Sequence, residues 1–305
     1  MIEPNFFVIG AQRAGSTSMW RYLRAHPEIY MAEAKEPGFV CFAGGTPPFN
    51  HNGDPNFEGQ IVLDEGAYLD LFTPGADRRY RGESSSFYLY IDDAQAELAR
   101  RFPDAKLLIV LRDPIDRIWS SFNYLRRLGG EPLETLDAAL EAEPQRIADH
   151  WEPLFHYVAE SRYSEQLTRL YEKFDRDQVH VAVLERLQAD GPAEMARIFT
   201  WLGIDPDADV GVEVRHNSAG RSRVPALSTI LTPGFLPDSF ADRIPRGLKD
   251  RAVAVRERLR SNDYDDMPAS TRARLEAALA DELTALPPLV DFDPADHWTF
   301  FGARR

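Results

Sequence analysis

The chain has 305 residues, of which 44% are hydrophobic and 28% are charged, as is typical of a soluble globular protein. Its formal net charge of −14 argues against non-specific binding to nucleic acids and against insertion into anionic membranes, but it is compatible with a local cationic cleft. Cys41 is the single cysteine, which excludes an intrachain disulfide. The sequence has no signal-like segment at its start and no apolar run long enough for a membrane span, so we expect a cytoplasmic protein.

Strand and helix patterns alternate along most of the chain. Short apolar runs predict strands at residues 6–9, 28–31, 106–111 and 178–184. Helical patterns occupy residues 16–25, 92–102, 114–128, 157–174, 192–202 and 270–286. Residues 44–59 are rich in Gly, Pro and Asn and predict a surface loop, a candidate lid over an acceptor site. The alternation predicts one α/β domain over residues 1–305, a three-layer sandwich with a mostly parallel central sheet and a helical or looped part from about residue 225.

The most informative stretch joins the first strand to the first helix, at residues 10–17. Gly10 and Gly15 have the G-x-x-x-x-G spacing of a Walker A phosphate loop. Successive backbone N–H groups and the helix N-terminus favour a phosphate there. However, Ser16 stands where the Walker lysine would follow, and the cation of this loop is Arg13. The loop is therefore predicted to bind a phosphate-bearing ligand other than an ordinary nucleoside triphosphate.

A second candidate phosphate site follows the strand at residues 106–111. Arg112 stands at the end of that strand, where its guanidinium offers a charge-assisted fork to phosphate. Asp113 and Pro114 form an N-cap and a first helical position, and Ser120 lies two turns into the helix. Because ligands of open α/β sheets bind at the carboxyl ends of the strands, we expect both phosphate sites at one edge of the sheet.

These two segments resemble the sulfotransferases that use 3′-phosphoadenosine-5′-phosphosulfate (PAPS), and among them bacterial relatives of the heparan-sulfate-type branch. The phosphosulfate loop of that family has a cation, a small residue, a glycine and two hydroxyl residues in succession. The resemblance covers roughly residues 5–225 and implies that the 3′-phosphate is held by Arg112 and Ser120. The residues that it implies for the rest of the donor are Gln12, Arg13, Ala14, Gly15, Ser16, Thr17 and Ser18.

Two further segments extend the resemblance. Glu83 matches the acidic segment in which the family's general base lies, which implies that it takes the acceptor proton. Gly220 and Arg221 resemble a late basic loop that closes over the 3′-phosphate. Arg13 stands where the family has a lysine, which implies that it stabilises the leaving phosphate oxygen, although a guanidinium is a poor proton donor.

Aromatic residues near these segments predict that the acceptor binds in a cleft with an apolar wall. The predicted acceptor contacts are Lys35, Phe39, Phe87 and Tyr88. Lys35 opens a K-E-x-x-F segment in which many relatives have a histidine where Gly38 stands, so a histidine base at that position is excluded. The sequence does not specify the acceptor, the choice between O- and N-sulfation, or the oligomeric state.

The resulting prediction is transfer of a sulfuryl group from PAPS to a hydroxyl or amine of a small-molecule, glycan or lipid acceptor, which releases adenosine 3′,5′-bisphosphate without a metal. One alternative is a P-loop kinase or NTPase, and the second is a non-catalytic nucleotide-binding protein on the same fold. The absence of a lysine directly after Gly15 counts against the first alternative. The second differs from the enzyme in showing no transfer to any acceptor.

Overall fold

The computed structural model describes residues 2–43, 45, 49–51, 60–212 and 266–302. All of these except Asp266 belong to one compact unit, Met1–Arg215 with Met267–Arg305. The second unit, His216–Asp266, otherwise lies outside the described residues, as do Gly220, Arg221 and most of the predicted lid at residues 44–59. The prediction of a single domain over the whole chain stays a prediction.

A parallel sheet forms the middle layer of the described unit. Its five strands are β1 (Phe6–Gly10), β2 (Ile29–Met31), β3 (Tyr80–Ser84), β4 (Lys106–Leu111) and β5 (Val179–Val183). They lie in the order β2-β3-β1-β4-β5, with every neighbouring pair parallel. The chain leaves β1 toward β2 at one edge of the sheet and leaves β4 toward β5 at the other edge. The neighbours β1 and β4 therefore flank the topological switch point, where open α/β sheets bind ligands. The four predicted strands are confirmed, whereas β3 was missed because its polar residues Arg81, Glu83 and Ser84 disguise a buried strand.

Helices cover both faces of the sheet. They are α1 (Ser16–Ala25), α2 (Phe39–Phe42), α3 (Glu65–Asp70), α4 (Asp92–Arg101), α5 (Pro114–Leu128), α6 (Leu136–Ala148), α7 (Tyr163–Tyr171), α8 (Leu184–Ala189), α9 (Gly191–Leu202), α10 (Ala269–Ala278), α11 (Glu282–Ala285) and α12 (Thr299–Gly302). Side chains alternate along each strand, so Phe7 and Ile9 enter one core cluster while Phe6 and Val8 enter another. The predicted three-layer α/β sandwich is confirmed.

The start of α5 shows why its bounds are readable from the sequence. Asp113 is the N-cap, and its Oδ1 accepts a hydrogen bond from the N–H of Ile115 at 2.9 Å. Pro114 occupies the first helical position, where no N–H is needed. Gly129 ends the helix with a φ of 77°, a left-handed conformation that glycine adopts without strain. The predicted helix at residues 114–128 is therefore confirmed.

The prediction of one helix over residues 157–174 is wrong in its first third. Residues Ala159–Ser161 form a short 3₁₀ turn, and α7 begins only at Tyr163. Buried side chains satisfy the backbone here in place of helical hydrogen bonds. Arg117 donates to the carbonyl of Tyr157 at 2.7 Å, and Glu143 accepts from the N–H groups of Val158 and Ala159 at about 3 Å.

The predicted helix at residues 270–286 is likewise divided into α10 and α11. Arg162 donates to the carbonyl of Ala278 at 2.7 Å, the group that would otherwise accept from the N–H of residue 282. The Glu282 side chain turns toward α7, where its carboxylate accepts from the N–H of Ser164 at 3.0 Å. Both breaks arise from partners that are distant in sequence.

Candidate active site

A cavity of about 240 Å³ lies where β1, β2 and β3 end. Each of these strands contributes the residues that come shortly after its carboxyl end. The lining residues are Gln12, Arg13, Ser16, Thr17, Lys35, Glu36, Gln60, Ser86, Phe87, Tyr124, Glu152 and Leu154. The cavity therefore brings the glycine-bounded loop together with the segments after β2 and β3.

The loop after β1 is held in a shape that requires glycine at its end. Gly15 has a φ of 96°, and a Cβ there would lie 2.7 Å from Leu184 Cδ1. The N–H of Ala11 donates to the carbonyl of Val110 at 2.8 Å, which ties the loop to β4. Since the first N–H groups of a helix have no acceptor within it, the N-terminus of α1 presents donors beside the cavity.

Arg13 contributes a positive charge to the cavity wall. Its guanidinium carbon lies 4.1 Å from the centre of the Tyr124 ring, a cation–π contact that orients the side chain. Next to it, Gln12 is 7% exposed, and in the described part of the chain its Oε1 lacks a hydrogen-bond partner. A buried polar atom of this kind at a cavity wall is completed by a ligand or by water. These features fit a phosphate-bearing ligand.

Arg112 and Ser120 are not among the residues that line the cavity. Arg112 Nη1 lies 3.4 Å from the carbonyl oxygen of Arg13, so its side chain reaches back to the loop. Ser120 is 4% exposed within α5. Their predicted contact with a 3′-phosphate stays a prediction, and Gly220 and Arg221, predicted at the same group, lie outside the described residues.

Asp113 is the acidic residue at the end of β4, the place where a P-loop NTPase would hold its metal. Both of its carboxylate oxygens are already used: Oδ1 caps α5, and Oδ2 accepts from the hydroxyl of Thr299 and the N–H of Phe300, each at 3.1 Å. Its own N–H donates to Glu185 at 3.1 Å. These bonds join β4, α8 and α12 and make Asp113 a structural group.

Glu36 and Lys35 form an ion pair on the cavity wall. The Glu36 carboxylate also accepts from Ser86, from the backbone N–H at 2.7 Å and from the hydroxyl at 2.9 Å. The Glu36 N–H donates to the carbonyl of Ser84 at 2.8 Å, so the segment after β2 runs beside the end of β3. With 18% of its side chain exposed, Glu36 is a positioned carboxylate that a ligand in the cavity can contact.

Glu83 occupies a different environment, inside the core and away from the cavity lining. Its carboxylate is 0% exposed and accepts from three hydroxyls: Tyr68 at 3.1 Å, Tyr88 at 2.9 Å and Ser85 at 2.6 Å. Burial raises the pKa of Glu83 from 4.5 to about 7, although the three hydrogen bonds favour the charged form. The predicted role of Glu83 as the base stays a prediction, and it requires an acceptor to reach a carboxylate that the cavity does not touch.

The four predicted acceptor contacts divide into two groups. Lys35 and Phe87 line the cavity. Phe39 is 1% exposed and stacks on Tyr68 with ring centres 4.2 Å apart, and Tyr88 is 0% exposed. Phe39 and Tyr88 therefore pack in the core, and their contact with an acceptor stays a prediction.

Several lining residues were not predicted from the sequence. Glu36 was within reach, because it follows Lys35 directly, and Tyr124 lies one helical turn after Ser120 on α5. Gln60, Glu152 and Leu154 carry no sequence signal, since only the tertiary fold brings residues 152 and 154 to the cavity. Within the described ranges, no group of three or more His, Cys, Asp or Glu side chains is arranged to hold a metal ion. No helix within those ranges has the length and apolarity that crossing a membrane requires.

Comparisons with known proteins agree with this fold. The family model described as "Sulfotransferase family" matches residues 72–209. A crystal structure of a sulfotransferase from Alicyclobacillus acidocaldarius has a TM-score of 0.73 and 29% sequence identity, and the match covers 96% of this chain and 98% of that one.

Two curated relatives have heparan sulfate in their names. The mouse bifunctional heparan sulfate N-deacetylase/N-sulfotransferase 4 is 27% identical over 67% of this chain. The human heparan sulfate glucosamine 3-O-sulfotransferase 3B1 is 24% identical over 66% of this chain. The chain spans only 22% and 46% of the lengths of these two relatives. The family-model match, the full-length structural match and these relatives show that the chain is similar to sulfotransferases.

Proposed function

We propose that this protein transfers a sulfuryl group from PAPS to a hydroxyl or amine acceptor and releases adenosine 3′,5′-bisphosphate. One observation carries the proposal: a single cavity is lined by the loop that presents Arg13, Ser16 and Thr17 and also by the Lys35–Glu36 pair. The first group suits a phosphosulfate, and the second suits an acceptor hydroxyl. Similarity to sulfotransferases supports the same reaction.

In this proposal the loop residues hold the donor. The N–H groups at the start of α1, with the hydroxyls of Ser16, Thr17 and Ser18, bind the 5′-phosphate. Arg13, oriented by the Tyr124 ring, stabilises the negative charge that develops on the leaving phosphate oxygen. Ala14 and Gly15 give the loop its backbone path. The 3′-phosphate is assigned to Arg112, Ser120, Gly220 and Arg221.

The transfer itself needs a proton acceptor on the acceptor side. The acceptor oxygen or nitrogen forms a bond to sulfur as the bond between sulfur and the bridging phosphate oxygen breaks, and the acceptor proton passes to a carboxylate. We assign this carboxylate to Glu36, since it lines the cavity and is oriented by Ser86. Much of the remaining acceleration comes from positioning and electrostatics, as in phosphoryl transfer.

The sequence-based alternative gives this role to Glu83. In our proposal Glu83 instead supports the segment after β3, because its carboxylate holds Ser85, and the Ser85 hydroxyl in turn accepts from the N–H of Gly38 at 3.1 Å. Gly38 lies two residues after Glu36, so this chain of hydrogen bonds reaches the segment that contains the proposed base.

Two isosteric variants separate the two assignments. We expect Glu36→Gln to lower kcat by roughly 10²–10⁴-fold, the usual contribution of a general base, and Glu83→Gln to lower it much less. Turnover is measured by mass spectrometry of sulfated product, and the affinity for adenosine 3′,5′-bisphosphate is measured by calorimetry and stays close to that of the wild type in both. Full turnover in Glu36→Gln together with loss in Glu83→Gln would return the base assignment to Glu83.

A thermal-shift comparison tests the two other functional classes. Stabilisation by adenosine 3′,5′-bisphosphate without Mg²⁺ is expected, because Asp113 is engaged in capping and the loop has no Walker lysine. Stabilisation by Mg·ATP alone would favour a kinase or NTPase. Binding of the bisphosphate with no transfer to any acceptor would favour the non-catalytic protein.

A further inference from the structure

Residues 298–300, at the start of α12, pack against the turn that joins β4 to α5. The Thr299 hydroxyl and the Phe300 N–H both donate to Asp113 Oδ2, each at 3.1 Å. Asp113 directly follows Arg112 in the chain and is 2% exposed. Because a buried carboxylate oxygen is costly to leave without donors, these two bonds hold the turn against α12.

Trp298 makes a second link to the same turn. Its Nε1 donates to Glu185 Oε2 at 2.9 Å, and Glu185 Oε1 accepts from the N–H of Asp113 at 3.1 Å. The indole is 1% exposed and packs against other aromatic rings, with ring centres 5.6 Å from Phe292 and 6.2 Å from Tyr163. A buried indole with a satisfied N–H has little freedom, so it fixes the Glu185 carboxylate that holds the Asp113 backbone.

The backbone of Arg112 is therefore fixed more firmly than its side chain. Its carbonyl accepts from the Tyr163 hydroxyl at 3.1 Å, and the next N–H is bound by Glu185. Its guanidinium makes a long contact of 3.4 Å to the carbonyl of Arg13. Burial raises the pKa of Glu185, and the positive charge of Arg112 opposes this rise, so carboxylate and guanidinium lie within electrostatic reach of each other.

We propose that Trp298 and Thr299 are positioning residues for the donor: they fix the peptide at Arg112 so that its guanidinium meets the 3′-phosphate. A guanidinium forks a phosphate only in a narrow range of orientations, so a small rotation of the peptide that carries it weakens both hydrogen bonds. This inference rests on the proposed assignment of Arg112 to the 3′-phosphate of PAPS. It gives α12 a part in donor selection, exerted through Asp113 and Glu185.

Two variants remove one hydrogen bond each from this arrangement. Trp298→Phe keeps an aromatic ring and loses the indole N–H, and Thr299→Val keeps the branched shape and loses the hydroxyl. The matched control is Trp201→Phe, which loses an indole N–H bond of the same length, 2.9 Å to the carbonyl of Asp177. The Trp201 ring lies 5.5 Å from Nζ of Lys106, the first residue of β4, and so at the opposite end of that strand from Arg112.

Calorimetry of each protein with adenosine 3′,5′-bisphosphate and with adenosine 5′-monophosphate gives the ratio of the two affinities. The ligands differ only in the 3′-phosphate, so the ratio reports on that group and is insensitive to a general loss of structure. We expect the ratio to fall roughly three- to tenfold in Trp298→Phe and in Thr299→Val, as the loss of one hydrogen bond implies, and to stay at the wild-type value in Trp201→Phe. In an Arg112→Ala background, Trp298→Phe should lower the ratio no further, because its effect passes through Arg112.

A wild-type ratio in both Trp298→Phe and Thr299→Val would overturn the inference, and so would an undiminished effect of Trp298→Phe in the Arg112→Ala background. Thr299 is exposed, so Thr299→Val decides the matter if the buried Trp298→Phe does not fold. A wild-type ratio in Arg112→Ala would overturn the assignment of the 3′-phosphate and the inference with it. Failure of the wild type to bind the bisphosphate would overturn the proposed function itself, so these failures are distinguishable.

Discussion

The buried carboxyl of Glu83 predicts a specific dependence of stability on pH. Its pKa is raised from 4.5 to about 7 by burial, so the folded protein holds this proton more tightly than the unfolded chain does. A group whose pKa is higher in the folded protein than in the unfolded chain stabilises the fold most at pH values below its unfolded pKa. That contribution is lost as the pH rises through about 7. Ionised Glu83 therefore destabilises the fold at alkaline pH.

The magnitude follows from the size of this rise. At about 1.4 kcal/mol per pKa unit, complete ionisation of Glu83 in the folded protein costs roughly 3 kcal/mol. Glu83→Gln preserves the shape and can keep hydrogen bonds to Tyr68, Tyr88 and Ser85, but it removes the charge. Relative to the wild type, the variant should gain roughly 2–3 kcal/mol of unfolding free energy between pH 5 and pH 8.5.

Urea unfolding of both proteins at several pH values measures this difference. Other titrating groups, including the buried Glu160, are common to the two chains and cancel in the comparison. Glu134→Gln, at an exposed position, serves as the matched control and should run parallel to the wild type. Parallel curves for the wild type and Glu83→Gln would show that Glu83 titrates alike in the folded and unfolded states and would refute the reasoning.

Three further substitutions test the loop and its support. Arg112→Ala should weaken PAPS binding far more than it weakens binding of the analogue without the 3′-phosphate, measured by calorimetry; equal losses would remove Arg112 from that role. Gly15→Ala should lower the free energy of unfolding by more than the roughly 1–2 kcal/mol of left-handed strain. It should also lower it by more than Gly129→Ala does, because an added Cβ meets a neighbour at Gly15 and none at Gly129. Equal losses for the two variants in urea unfolding would contradict this. Arg117→Met leaves Glu160 buried without its counter-charge and should lower the free energy of unfolding by about 3–5 kcal/mol at pH 8. Adding Glu160→Gln should recover most of this loss. A loss below about 1 kcal/mol in Arg117→Met would contradict the prediction.

The helix breaks show where reasoning from local sequence stops. Residues 157–162 carry a helical pattern, but the carbonyl of Tyr157 and the N–H groups after it bind Arg117 and Glu143 from two other helices. Arg117 is 0% exposed, and leaving its buried guanidinium without these partners would cost more free energy than losing a few helical backbone hydrogen bonds. No local pattern within the segment encodes that competition. The same holds for β3, where Glu83 is buried among the tyrosine and serine hydroxyls that donate to its carboxylate.

The sequence by itself determined the features that depend on neighbouring residues: the strand–loop–helix around Gly15, the cap at Asp113 and the parallel α/β class. Glycine conformation, helix capping and hydrophobic periodicity act over a few residues, so they can be recognised in the sequence. Only the tertiary structure decided which carboxylates face the cavity. It placed Glu36 and Glu152 on the wall and Glu83 in the core, because the exposure of a side chain depends on what distant segments pack against it.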